Sequence, residues 1–159
     1  LSIVFAWHGY SKKHMGPEAK FYQKIKRNFN EFSLSRVENL SSLGHPDILG
    51  YNTNCHFFTI ELKVTKSSKV RFSPHQIAFH LRHPKNTFIM VQALGPCTPN
   101  TFPISMYRGS RIRELVTSGL KLDACWSGLE ACRLALAELG AWSYGVPPKN
   151  LRSLLLEAS

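Results

Sequence analysis

Five side chains carry the chemistry that this chain can offer: Glu18, Asp47, Glu61, Lys63 and Gln76. Asp47 closes the tripeptide His-Pro-Asp, and Glu61 and Lys63 lie in Ile-Glu-Leu-Lys, with an Asn-rich turn between the two runs. β-Branched and aromatic runs punctuated in this way predict a β-hairpin. Folded symmetrically about Asn54, that hairpin sets Asp47 directly opposite Glu61, with Cβ atoms about 4.5–5.5 Å apart. Lys63, two residues beyond Glu61, then projects from the same face. Opposed carboxylates destabilise a sheet unless one keeps its proton or a cation sits between them. Three carboxylates converging beside a lysine suit cation-assisted hydrolysis of a phosphodiester. Mg²⁺ takes hard oxygen ligands, lowers the pKa of water and stabilises charge on the leaving oxygen. A lysine nearby can orient or deprotonate that water and balance charge at the phosphate.

Each of these residues also has a plainer reading. Glu18 shares the apolar face of its helix, where an unpaired carboxylate is costly; in a first turn it can simply complement the helix dipole. Ser73, Pro74 and Gln76 satisfy a capping box with proline at the first helical position, a role compatible with chemistry. His45, His75, His80 and His83 lack a convincing zinc spacing. Cys55, Cys97, Cys125 and Cys132 have no CxxC context and no signal peptide precedes them, which reads as reduced thiols in an intracellular compartment. Cys125 and Cys132 suit the role of core fillers.

The elements that must position these groups follow from periodicity. Pro17 opens a helix running to about Phe32, with Phe21, Ile25, Phe29 and Phe32 as its buried stripe. A strand near Arg36–Leu40, the hairpin, a helix from Ser73 to about His83 stopped by Pro84, and a doubly buried strand over Thr87–Leu94 come next. The remainder reads as helical: a short helix ending at Gly119, another capped by Ser127, Glu130 and Gly140, and a last amphipathic turn over Leu151–Leu156. Helix, three strands, helix, strand, helices is an α/β (α+β) arrangement with a small mixed sheet. Residues 1–14 read as an added or disordered arm, since Met15-Gly16 resembles a natural start. Residues 15–159 read as a single domain with its core at about 16–95 and a helical part at about 108–159.

Composition narrows the class. With 159 residues, 43% of them hydrophobic and 19% charged, the chain is neither a disordered polymer nor a coiled coil. It also lacks the roughly 18 consecutive apolar residues of a membrane helix. Twenty Lys and Arg against ten Asp and Glu point to an anionic partner, nucleic acid first. The excess is lopsided: residues 1–85 hold 13 basic and 5 acidic side chains, residues 86–159 hold 7 and 5. A phosphate-binding half that keeps carboxylates needs a reason to keep them.

The order Glu18, His-Pro-Asp (Asp47), Ile-Glu-Leu-Lys (Glu61, Lys63) and Ser-Pro-His-Gln (Gln76) resembles the PD-(D/E)xK nuclease superfamily. Within it, the pattern looks most like archaeal-type Holliday-junction resolvases and virus-type replication-repair nucleases. The resemblance spans about residues 16–95 and implies a restriction-endonuclease-like core with extra C-terminal helices. It further implies Asp47, Glu61 and the Leu62 carbonyl as ligands of Mg²⁺, with Mn²⁺ able to substitute. Lys63 would act on the water, Glu18 would hold water or a second ion, and Gln76 would support the site from the next helix. Lys20, Lys24, Arg27, Lys66, Lys69, Arg71 and Ser73 would face the DNA backbone. The implied activity is endonucleolytic, on branched or junction DNA. Alternatives are flap-, end- or site-specific cutting, or a non-catalytic DNA-binding module on the same fold. Symmetric resolution of a junction needs two nicks and so implies a homodimer. Leu151, Leu154 and Leu155 offer either an interface stripe or ordinary core.

Overall fold

A computed structural model describes residues 15–37, 44–95 and 103–141. The expectations for residues 1–14, for Cys97 and for Leu151, Leu154 and Leu155 lie outside these. Helix α1 (Pro17–Asn28) buries Phe21, Tyr22 and Ile25. It ends before the predicted Phe32 because Phe29 leaves helical geometry (φ −113°, ψ 44°). Phe29 and Phe32 both stay in the core, edge to face at 5.9 Å, and turn the chain into β1 (Ser33–Arg36). Strand β2 (Ile48–Tyr51) pairs antiparallel with β1 and with β3 (Phe57–Thr65). The register Ile48↔Ile60, Tyr51↔Phe57 is the one expected from symmetry about Asn54.

Helix α2 (Pro74–Arg82) carries the chain over to β4 (Thr87–Ala93), which runs parallel to β3. Thr87 through Val91 are buried, as a central strand requires. Two strands then appear where the sequence reads as helix or loop: β5 (Ile104–Arg108), antiparallel to β4, and the two-residue β6 (Trp126–Ser127). Between them lies α3 (Ile112–Ser118), and α4 (Leu129–Ala137) follows. The described part of the C-terminal third is therefore mixed, not purely helical. Ser127 is taken up by pairing with Ser105, so Gly128, at φ +88°, starts α4 without a side-chain cap. Glu130 is drawn to Arg133 instead of closing a capping box.

Among the described residues the sheet is mixed and six-stranded, with strand order equal to chain order and helices on both faces. Phe58, Ile60 and Leu62 share one core with Phe88, Met90 and Met106, covered by α1 and α4. Ile89, Val91 and Tyr107, on the opposite face, pack with Ile112 and Leu115 of α3 and Ile77 of α2. Glu61 and Lys63 alternate with Ile60 and Leu62, so they belong to this second face.

The hairpin turn does more than reverse the chain. Buried Asn52 donates to the Leu136 and Leu139 carbonyls (2.9 and 2.8 Å) and accepts from the Asn54 and His56 amides (3.0 Å each). Asn54 donates to the Ala137 carbonyl at 2.8 Å. The turn thus supplies donors to the last carbonyls of α4, groups that a helix leaves unpaired. Replacing Asn52 by alanine strands these buried backbone groups, so Asn52→Ala is expected to cost about 2–4 kcal/mol by urea denaturation. Thr53→Ala, at the exposed neighbouring position, should change stability by less than about 0.5 kcal/mol.

Candidate active site

The register of β2 and β3 brings Asp47 beside Glu61 at the open end of β2. Asp47 Oδ2 accepts the Leu62 amide at 2.7 Å, so the Leu62 N–H points past the end of β2 toward the aspartate. A strand residue directs its N–H and C=O to the same side, which turns the Leu62 carbonyl toward Asp47 as well. Glu61 is 1% exposed. Its carboxylate meets the Lys63 ammonium at 3.1 Å and accepts a short hydrogen bond from the Gln76 side-chain amide.

Gln76 is the joint of the site. Its Oε1 accepts the Ser73 amide at 3.0 Å and the Lys63 ammonium at 3.1 Å. The Gln76 backbone N–H donates to Ser73 Oγ at 3.2 Å, which completes the capping box of α2. Capping and site support are therefore one arrangement, and the first turn of α2 fixes where Lys63 and Glu61 stand. The ammonium also lies 5.2 Å from the centre of the Phe72 ring, a cation–π contact.

Crowded carboxylates in a dry place should resist ionisation. Burial, then the neighbouring Asp47, raise the Glu61 pKa from 4.5 to about 7, against the opposing pull of Lys63. The Asp47 pKa is raised as well, mainly by burial, with the Leu62 amide and Lys63 opposing. Of the two readings open for Glu18, the structure has the first-turn one. Glu18 is exposed, not aimed into the apolar core, and lines a cavity of about 230 Å³ with Lys63, Lys69 and Arg71. Partial desolvation raises its pKa; Lys63 lowers it and Asp47 raises it. Position 18 falls at the solvent end of the stripe, one turn before the core closes at Phe21.

Of the expected DNA contacts, Lys69 and Arg71 join this cavity and Lys66 is exposed on the same loop. Lys20 and Arg27 are exposed on α1, and Lys24 is half-buried there. The Ser73 hydroxyl is engaged in capping. Sequence reasoning missed Arg36, whose charge lowers the pKa of both Glu18 and Asp47. It pairs with Ile48, next to Asp47, and its guanidinium lies 5.8 Å from the Tyr22 ring centre. The β1–β2 register would have revealed it.

The donor set fits a hard divalent cation: two carboxylates and a backbone carbonyl, all oxygen. Among the described residues no three His, Cys, Asp or Glu side chains form a closed metal cluster. Such closure is what zinc requires; Mg²⁺ is commonly held by one or two carboxylates together with substrate phosphates.

No family model matches this sequence, and no curated protein matches it. A solved structure similar in fold is that of Hjc, a Holliday junction resolvase from the archaeal hyperthermophile Archaeoglobus fulgidus. The two share 15% identity with a TM-score of 0.43, over 57% of this chain and 75% of that one.

Glu61 holds a proton in the folded chain at pH values where the unfolded chain has released it. Without divalent cation, stability should therefore fall as pH rises from about 4.5 through about 7. Thermal melts in EDTA at pH 5 and pH 8 measure this, and Glu61→Gln should lessen the difference. Added Mg²⁺ should raise the melting temperature more at pH 8 than at pH 5, because cation and proton compete for the same oxygens.

Proposed function

We propose that this chain is a divalent-cation-dependent nuclease that hydrolyses DNA phosphodiester bonds, with branched or junction DNA as its substrate. The observation that carries the reading is the Lys63 ammonium, held by Gln76 at 3.1 Å from a buried glutamate that stands beside Asp47. Nothing in the packing calls for two carboxylates and an ammonium beside the open end of β2, where burial holds both carboxyl pKa values up and Asp47 raises that of Glu61 further. Function explains the expense.

Asp47, Glu61 and the Leu62 carbonyl would hold the ion, with Glu18 at the rim able to hold water or a second one. Mg²⁺ is the expected ion, and Mn²⁺ is expected to replace it. A bound divalent cation supplies the charge that acidifies water and stabilises the leaving oxygen. The protein's own part is positional. Gln76 restrains Lys63 through Oε1, so its amino group stays near the cavity, where as an ammonium it can orient a water and balance charge at the phosphate and as the free amine it can take that water's proton. Lys69 and Arg71, lining the same cavity, neutralise the phosphate backbone and draw it over the carboxylates. Lys66, Lys20, Lys24 and Arg27 extend the basic surface. Cutting a junction symmetrically needs a second site, which a homodimer supplies.

Four-way junction, flap, duplex and single-stranded DNA, each with Mg²⁺ or EDTA, test the activity; no cleavage of any substrate with Mg²⁺ or Mn²⁺ refutes it. Asp47→Asn or Glu61→Gln is expected to abolish cleavage while keeping or improving DNA affinity, because a carboxylate without its cation repels phosphate. Lys63→Ala should slow single-turnover cleavage on the order of 10²-fold with little change in affinity. Light scattering of the active protein should give twice the 18.0 kDa chain mass; an active monomer removes the dimer from the proposal.

A further inference from the structure

A second cavity, of about 790 Å³, adjoins the first. Lys69, Val70 and Arg71 line both. Its far wall comes from the end of α3 and the segment after it: Val116, Lys121, Leu122 and Asp123. The volume is within the roughly 300–1,000 Å³ typical of small-ligand sites. It is also firmly built. The Leu120 amide donates to the Ser68 carbonyl at 2.7 Å, pinning the loop after β3 to the segment after α3. Gly119 makes that approach possible: its φ is +57°, and a Cβ there would lie 2.1 Å from the Ser68 oxygen. Within the loop, Thr65 Oγ1 donates to the Lys69 carbonyl at 2.9 Å. The walls therefore stand in place before anything binds.

Resting on the nuclease reading, we infer that this cavity receives an unpaired nucleotide of the strand being cut, next to the scissile phosphate. Three features of the walls favour a nucleotide over duplex backbone. Lys69, Arg71 and Lys121 are exposed cations suited to phosphates on either side. Val116, 45% exposed, and Leu122 offer apolar surface to a base face, which duplex DNA keeps stacked and out of reach. Asp123 would repel a phosphate track, yet a carboxylate accepts hydrogen bonds from a base amino group. A cavity sharing one wall with the catalytic cavity brings the unpaired nucleotide and the cleavage point together. The substrate is thereby defined by a break in pairing at the cut, as occurs at a junction, flap or frayed end.

Fluorescence anisotropy in EDTA tests this with two probes, a blunt duplex and the same duplex with a three-nucleotide unpaired tail. Wild type should bind the tailed probe more tightly. Val116→Trp, which fills the cavity, and Lys121→Glu, which reverses its charge, should each weaken tailed-probe binding about tenfold, the scale of one base contact. Blunt-duplex affinity should change less than about twofold. Both positions are exposed, so melting temperatures check that folding is intact; should Val116→Trp misfold, Lys121→Glu decides the matter by itself. An unchanged tailed-to-blunt ratio in the folded variants overturns the cavity assignment, whether or not the protein cuts DNA. If the preference and its loss are seen but no probe is cut with Mg²⁺, the cavity assignment stands and the nuclease reading fails.

Discussion

A carboxylate buried in a sheet beside a second carboxylate sets the terms for the rest of this molecule. Glu61 is 1% exposed, and its neighbours are an ammonium, an amide and the aspartate across the strand. Taking a charge out of water costs several kcal/mol unless it is paired and hydrogen-bonded. Lys63 and Gln76 provide that pairing, and each must itself be held. Gln76 is held by the N-terminus of α2, and that N-terminus is held by Ser73. One capping interaction thus serves a helix end and a charged centre together, so a change at either residue reaches both.

Much of this was legible in the sequence because hairpin register is a counting problem. Once the turn is centred on Asn54, the face and the opposition of Asp47 and Glu61 follow, and the pairing of β2 with β3 has that register. Gln76 was legible for a similar reason: Ser-Pro-x-Gln is a local code, and at α2 both halves of the capping box form. The failures were of the opposite kind. Ser127 has the residue type and spacing of a cap, but a bridge to Ser105, a residue far away in sequence, claims it for β6. Ile104–Arg108 is too short to announce itself and becomes a strand because β4 offers it an edge. Asn52 and Asn54 look like turn residues, and are, yet their side chains serve a helix more than eighty residues later. For Glu18 the sequence left two readings open, the apolar face or the first turn's dipole, and the structure leaves it in an exposed first turn at the rim of the cavity that Lys63 lines.

The two cores divide the labour. One face, with α1 and α4, anchors the sheet with a large hydrophobic cluster. The other, under α2 and α3, is interrupted by Glu61 and Lys63 and gives way to the two cavities. Because neighbouring residues of β3 point to opposite faces, Ile60 and Leu62 are locked into the first core while Glu61 and Lys63 look into the second. A one-residue slip of this strand would exchange them. The rigidity of the apolar face is what keeps the polar groups on theirs.

The order of strands across the sheet is the order along the chain, β1 through β6. Each pairing joins a strand to the next one in sequence, so no pairing has to skip an intervening strand. Proteins rich in such near-neighbour contacts close small loops and tend to fold quickly. The residues from Asp47 to Gln76 fall within a single stretch of 30, so the charged centre can be assembled once β4 lies down on β3. The bonds from Asn52 and Asn54 to the end of α4 are an exception, bridging more than eighty residues. They act as a latch across the fold, and during synthesis the polar turn would stay hydrated until α4 arrives to take its place.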